Sequence, residues 1–310
     1  MKSAFSQDRS AATFRNWYSS STVRSRPYGY LLSEQDFREV NPDRWFPSSM
    51  APALAHTEIT NLPLPERLHL HINHLTYFLD YTTDLEITHV NKAVKSITHG
   101  PLKKYFDSSD HRAALKLYVD EGYHALFSRE LADQVTNHFK LKRRRSARIN
   151  AFSELVAKTP SSHQDLTQFI IAFVSETLIT KELFDLSRQM LIPGVYNLLI
   201  DHLHDEGKHS AYFSYCFEKL WSRLSESQQD FAARSLLEIL LIFGRPDKEF
   251  ILSLFASDTR QGELVLKHLE ARVTERIAAL AIPTMQSVQR TTLLQKHDLL
   301  HLFKTYGILT

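Results

Sequence analysis

From about Pro65 onward, apolar residues recur at three- and four-residue spacing, and the strict alternation of a half-buried strand is almost absent. That period predicts helices over residues 65–98, 110–138, 147–158, 162–187, 193–222, 226–243, 247–256, 260–280 and 284–305. Several ends carry their own signals: Gly100-Pro101 stops the first helix, Ser109 or Asp110 caps the second, Pro193 opens the fifth and Gly244 follows the sixth. Ahead of Pro65 the pattern is lost. The first 25 or so residues, with Ser19, Ser20 and Ser21 in a row, are polar and aperiodic and read as a tail or extended arm. Prolines at 27, 42, 47, 52, 63 and 65 then break any long helix, so this stretch is expected to wrap the surface in short turns. The chain divides accordingly into an N-terminal tail and wrapping segment, 1–64, and a helical domain, 65–310.

Composition narrows the function classes. With 310 residues, 43% of them hydrophobic, the chain can bury a substantial core, and only 8 glycines argue against turn-rich β architectures. Lys and Arg number 37 against 35 Asp and Glu, a formal charge of +2, which gives no general attraction to nucleic acid or to an anionic membrane. The most apolar runs, 169–174 and 236–243, are far shorter than the roughly 20 residues of a membrane span. Gln7, Asp8 and Arg9 stand where a secretory signal needs an apolar block, and Cys216 is alone, so a cytoplasmic location is expected. The basic run KLKRRRSAR at 140–148 reads as a solvated loop between helices rather than an anion-binding patch.

Histidine is abundant, at 16 residues, and two of the histidines close copies of one pattern: Asp120-Glu121-Gly122-Tyr123-His124 and Asp205-Glu206-Gly207-Lys208-His209. Glu and His three apart on a helix share a face, so each copy offers a carboxylate oxygen and an imidazole nitrogen to one metal ion. In four-helix bundles that hold two metals, single Glu residues on the other two helices complete the set, in the chain order Glu, Glu-x-x-His, Glu, Glu-x-x-His. Glu86 and Glu176 stand in those places, each on a predicted helix ahead of one copy. His202, four residues before Glu206 and seven before His209, lies within about 60° of the same face and is a possible seventh ligand. Asp120 and Asp205, rotated off that face, are suited to accept the second N–H of a metal-bound imidazole on a neighbouring helix.

Plainer readings compete. His89 repeats the Glu-x-x-His spacing after Glu86 and is either a further ligand or half of an exposed i,i+3 pair. Glu176, inside FIIAFVSETLI, is too apolar in its surroundings to be an ordinary exposed carboxylate. His69, His71 and His74 suit a solvated or partly packed helix face, and His204 should point away from the metals. A His-Asp phosphohydrolase built on His204-Asp205 leaves Glu86, Asp120, Glu121, His124 and Glu176 without a role, and a metal-free scaffold with buried polar networks is the remaining alternative.

Taken together, D-E-x-Y-H at 120–124, S-E-T at 175–177 and H-x-x-D-E-x-x-H-S at 202–210 resemble the AurF-type non-haem di-iron N-oxygenases, over about residues 65–245. The resemblance implies an all-α, ferritin-like four-helix bundle with additional C-terminal helices and an extended N-terminal segment. It also implies Glu86, Glu121, His124, Glu176, His202, Glu206 and His209 as ligands to two Fe ions, with Glu121 and Glu206 bridging; His89 has no place in that pattern. The implied activity is oxidation of the amino group of a small organic amine by O2, an N-hydroxylation with nitroso and nitro compounds further along the same series, in secondary metabolism. An external electron donor such as a reductase and a homodimer come with it. Other di-iron tasks, C-hydroxylation, desaturation or ferroxidase activity, use almost the same ligands. Residues one helical turn from the ligands, Leu117, Tyr118, Phe173, Thr180, Leu199 and Phe213, are the candidate walls of a substrate cavity, with plain core packing as the competing reading.

Overall fold

The computed structural model describes residues 9–26, 29–255 and 258–309; the first eight residues of the expected tail, Pro27, and the last residue of the helix expected at 247–256 lie outside them. Four long helices build the centre: Leu64–Leu85, which runs through a π turn at Glu86–Val90 into Asn91–Thr98; Ser108–Phe139; Gln164–Leu186; and Pro193–Trp221. The first packs chiefly on the second and the third chiefly on the fourth. The two pairs close on each other where the π turn meets the third helix and the fourth meets the second. The chain is all-α and ferritin-like, with no strand among the described residues. No helix among them is long and apolar enough to cross a membrane.

Helix ends follow local chemistry. Asp107, rather than Ser109 or Asp110, caps the second helix: its carboxylate accepts from the amides of Ser109 and Asp110, and Asp110 answers at the Asp107 amide. The C-terminal part departs from the expected helices at 260–280 and 284–305. The break falls at Arg272, between Thr259–Ala271 and Val273–Val288, and the second of these runs straight through Pro283. Proline there costs one backbone bond, but Ile277, Ala281, Met285 and Val288 form a stripe buried against Glu226–Gly244 and the third bundle helix, and that packing outweighs the loss.

Residues 9–26 are not a loose arm. They make three short helical turns, Arg9–Thr13, Trp17–Ser20 and Thr22–Ser25, laid over the second and fourth bundle helices with Phe14 and Trp17 buried.

The apolar core falls into two clusters. Leu117, Phe173 and Phe213 belong to one; Phe127, Ile179 and Leu199 belong to the other. On the second, third and fourth helices these are the residues on either side of the D-E-G-x-H copies and of Glu176. A layer of ionisable side chains therefore crosses the bundle where a continuous core would be expected.

Candidate metal centre

That layer consists of Glu86, Glu121, His124, Glu176, His202, Glu206 and His209, each at most 4% exposed. Two overlapping groups stand out, each with ligand atoms all within 4.8 Å of one another: Glu86, His124, His202 and Glu206, and Glu121, His124, Glu206 and His209. Glu206 belongs to both; its Oε1 lies 3.1 Å from His124 Nδ1 and 3.2 Å from both His202 Nε2 and His209 Nδ1. Glu86 Oε1 is 3.3 Å from His202 Nε2, and Glu121 Oε1 is 2.7 Å from His209 Nδ1. Glu176 is in neither group, but its Oε2 approaches His209 Nδ1 to 3.7 Å. Glu121, expected to bridge, belongs to only one group.

Local geometry explains the convergence. In each D-E-G-x-H copy the Glu and His face inward together. The π turn inserts an extra residue into the first helix and separates Glu86 from His89. Glu86 turns to His202, whereas the His89 ring meets Phe152, with its Nδ1 2.9 Å from Gln168 Nε2. His89 is thus buried away from the cluster and is not half of an exposed pair.

The carboxylates at the start of each copy cross over. His124 donates through Nε2 to Asp205 Oδ2 at 3.4 Å, and His209 donates through Nε2 to Asp120 Oδ2 at 3.3 Å. Both Nδ1 atoms are left facing the layer. His204 is 52% exposed at its side chain, so the His204-Asp205 pair does not face inward as a phosphohydrolase would need.

Eight buried atoms of this layer lack a hydrogen-bonding partner: both oxygens of Glu121, one each of Glu86, Glu176 and Glu206, His124 Nδ1, and both ring nitrogens of His202. Unpaired buried acceptors are costly, and carboxylate oxygens with imidazole nitrogens form the donor set of first-row transition metals. Four carboxylates also match the charge of two divalent cations. The residues fit a two-metal site.

A model of the family described as P-aminobenzoate N-oxygenase AurF matches residues 33–289. The chain belongs to the AurF family. No curated protein matches it.

Without a cation, protons balance the AurF-type cluster. Burial raises Glu86 to about 7, and burial with the charges of Glu206 and Glu121 raises Glu176 well above the carboxylate range. Burial also works against the charge on Glu121 and Glu206, but the imidazole of His209, beside both, outweighs it and lowers them. Burial opposes protonation of His124 and His209, yet their carboxylate neighbours raise both well above the usual histidine range.

The expected pocket walls are mostly packing. Leu117, Phe173, Leu199 and Phe213 are fully buried core, Phe173 stacking on Phe217 at 4.4 Å, and the Thr180 hydroxyl is spent on the carbonyls of Glu176 and Glu206. Tyr118 is 48% exposed on an outward stripe with Leu115, Val119 and Leu126, since residue 118 lies on the opposite side of the helix from residue 120.

A cavity of about 130 Å³ lies elsewhere, between the first and third bundle helices and the C-terminal helices, walled by Phe46, Phe78, Phe250, Tyr77 and Tyr81, with Arg148, Glu182 and Arg276. Tyr81, Arg148 and Glu182 also line an inner void of about 10 Å³, whose other walls include Leu85, Ser175, Leu178 and Ile179. Leu85 precedes Glu86 and Ser175 precedes Glu176, so this small void borders the chain next to two residues of the cluster.

The sequence pattern missed this group. Arg148, the last residue of the basic run, is no solvated loop residue: it lies 5.0 Å from the Tyr81 ring and donates from Nη2 to the Phe243 carbonyl, and its Nε has no acceptor. Burial and the nearby charge of Arg148 lower Arg276, and burial raises Glu182. Neither side chain makes a hydrogen bond or close ion pair among the described residues. Asp247 is already engaged, accepting from Tyr77, Ala147 and Phe250.

His71 and His74, expected on a solvated or partly packed face, are buried instead. Their Nδ1 atoms lie 2.6 Å from the Phe46 carbonyl and 2.9 Å from the Leu70 carbonyl. His69 alone of the three is exposed.

Proposed function

We propose that the protein uses O2 to oxidise the amino group of a small organic amine that also carries an anionic group, at two iron ions held by Glu86, Glu121, His124, Glu176, His202, Glu206 and His209. One observation carries the reading: two four-residue groups share Glu206 and His124 in a buried layer in which eight carboxylate and imidazole atoms have no hydrogen-bonding partner. When bound and reduced, the iron pair supplies the electrons that activate O2. The chain does the rest. Glu206, which belongs to both groups, would serve both metal positions; Asp120 and Asp205 orient the imidazoles; the flanking apolar clusters exclude bulk water.

The choice of amine rests on the cavity. Arg148 and Arg276 share a partly aromatic chamber with two carboxylates, Asp247, which is taken up by Tyr77 and the amides of Ala147 and Phe250, and Glu182, whose ionisation burial disfavours. Guanidinium is suited to bidentate pairing with a carboxylate, and p-aminobenzoate, the compound in the family's description, has both a carboxylate and an aryl amine. The amine would then lie inward, toward Glu86 and Glu176. An external reductase would return the irons to the ferrous state.

The test is to reconstitute the protein with Fe2+, reduce it, and expose it to O2 with p-aminobenzoate and with amines lacking an acid group. Two irons per chain and a hydroxylamine, nitroso or nitro product from the acidic amine are expected. Iron binding without any N-oxidised product across aryl and amino-acid-derived amines would overturn the amine reading.

A further inference from the structure

The N-terminal segment, residues 9–26, lies outside the region matched by the family model, and it supplies the outermost contacts of the centre. Trp17 Nε1 donates to both oxygens of Asp120, at 2.9 and 2.8 Å, and the Ser21 hydroxyl donates to Asp120 Oδ1. One residue further on, the Thr22 amide donates to Asp205 Oδ2 at 2.9 Å. These are the two carboxylates that receive His209 and His124. Both are fully buried, and Asp205 is also met by Lys208 Nζ at 3.1 Å. Phe14, from the same segment, places its ring 6.1 Å from that of His209.

A carboxylate that must orient an imidazole has to be held itself, because a freely rotating one would offer its lone pairs to water as readily as to the ring. The indole N–H, bound across both oxygens, fixes the plane of the Asp120 carboxylate. The Ser21 hydroxyl takes up Oδ1, and Oδ2 remains for His209 Nε2–H. With a metal bound, His209 would thereby be held with its proton on Nε2 and its Nδ1 turned inward. Thr22 does the same for Asp205 and His124 through a backbone amide, which side-chain substitution cannot remove.

We propose that residues 9–26 act as a positioning strap for the two metal-facing imidazoles, with Trp17 the principal positioning residue, acting through Asp120 on His209. The proposal rests on the two-metal reading above. Its test is anaerobic titration of the metal-free protein with Fe2+ against a competing chelator, combined with proton NMR of the Co2+-loaded protein. In the Co2+ form, the exchangeable N–H of a bound imidazole appears as a shifted resonance.

Trp17→Phe keeps a buried ring and loses the donor. It is expected to weaken the tighter-held Fe2+ by about tenfold or more, in the range seen when the outer partner of a metal ligand is removed. It should also move or broaden the His209 N–H resonance. Ser21→Ala is expected to act in the same direction to a smaller extent and serves if Trp17→Phe does not fold. Ser10→Ala, which cuts the strap's bond to Asp110 without touching an imidazole partner, is expected to change neither measurement.

Unchanged affinity and an unchanged resonance in Trp17→Phe, or equal losses in Ser10→Ala, would overturn the positioning role while leaving the metal site intact. Wild-type protein that binds neither Fe2+ nor Co2+ would overturn the two-metal reading itself.

Discussion

At the residue scale, the centre and the cavity make separable predictions. His202 contributes two buried ring nitrogens, neither with a hydrogen-bonding partner, and belongs to only one of the two groups. His202→Ala is therefore expected to lower iron content from two ions per chain toward one, with the helical circular dichroism unchanged. Full occupancy in that variant would remove His202 from the ligand set. Arg276, whose guanidinium meets no acceptor among the described residues, should be replaceable by Met without loss of stability. The same change should raise KM for p-aminobenzoate about tenfold with little change in kcat, since a charge-assisted hydrogen bond is worth about 1.5–3 kcal/mol. Steady-state kinetics on acidic and neutral amines would check this, because the neutral substrates should be indifferent.

At the scale of elements, the cavity depends on how closely two outer helices approach. Gly244 ends Glu226–Gly244 against Val273–Val288, and a Cβ built on it would stand 2.0 Å from Ile277 Cγ1, one residue beyond Arg276. Gly244→Ala is expected to force these helices apart and destabilise the protein by about 1–3 kcal/mol, read as a lower urea midpoint, while Fe2+ affinity stays at the wild-type value. A variant as stable as wild type would mean that Ile277 can move aside. The four bundle helices could be recognised from their 3.6-residue period and their caps. The π turn at Glu86–Val90 could not, because no local residue type forbids a regular helix there; what favours the extra residue is that Glu86 meets His202 while His89 meets Gln168.

At the scale of the whole molecule, several histidines are buried neutral. Burial lowers His74 and His89 to about 4 and lowers His71 as well. Above pH 6.5 such a group is neutral in both folded and unfolded chains. Below it the unfolded chain takes up a proton that the folded one refuses, so stability falls as pH drops from about 6.5 toward 4. The Glu and His residues of the centre titrate in overlapping ranges and shift stability in both directions, so the clean measurement is a difference. His74→Leu should reduce the stability lost between pH 7 and 4.5 by up to about 3 kcal/mol, measured by urea unfolding of the metal-free protein. An identical pH dependence in the variant would mean that His74 is protonated in the folded state.

The sequence alone determined the helical class and the four places from which the side chains of the buried Glu and His layer come. It could do so because a shared helix face depends only on spacing within one segment: Glu121 with His124, and His202 with Glu206 and His209. Tertiary structure decided what meets across segments. It set Asp120 against His209 and Asp205 against His124, brought Trp17 and Ser21 from a polar, aperiodic stretch onto Asp120, and gathered Arg148, Glu182 and Arg276 from three distant helices around one cavity. Their spacing in the chain carries no period that could announce it, since contacts between segments are fixed by packing and by the need of buried polar groups for partners.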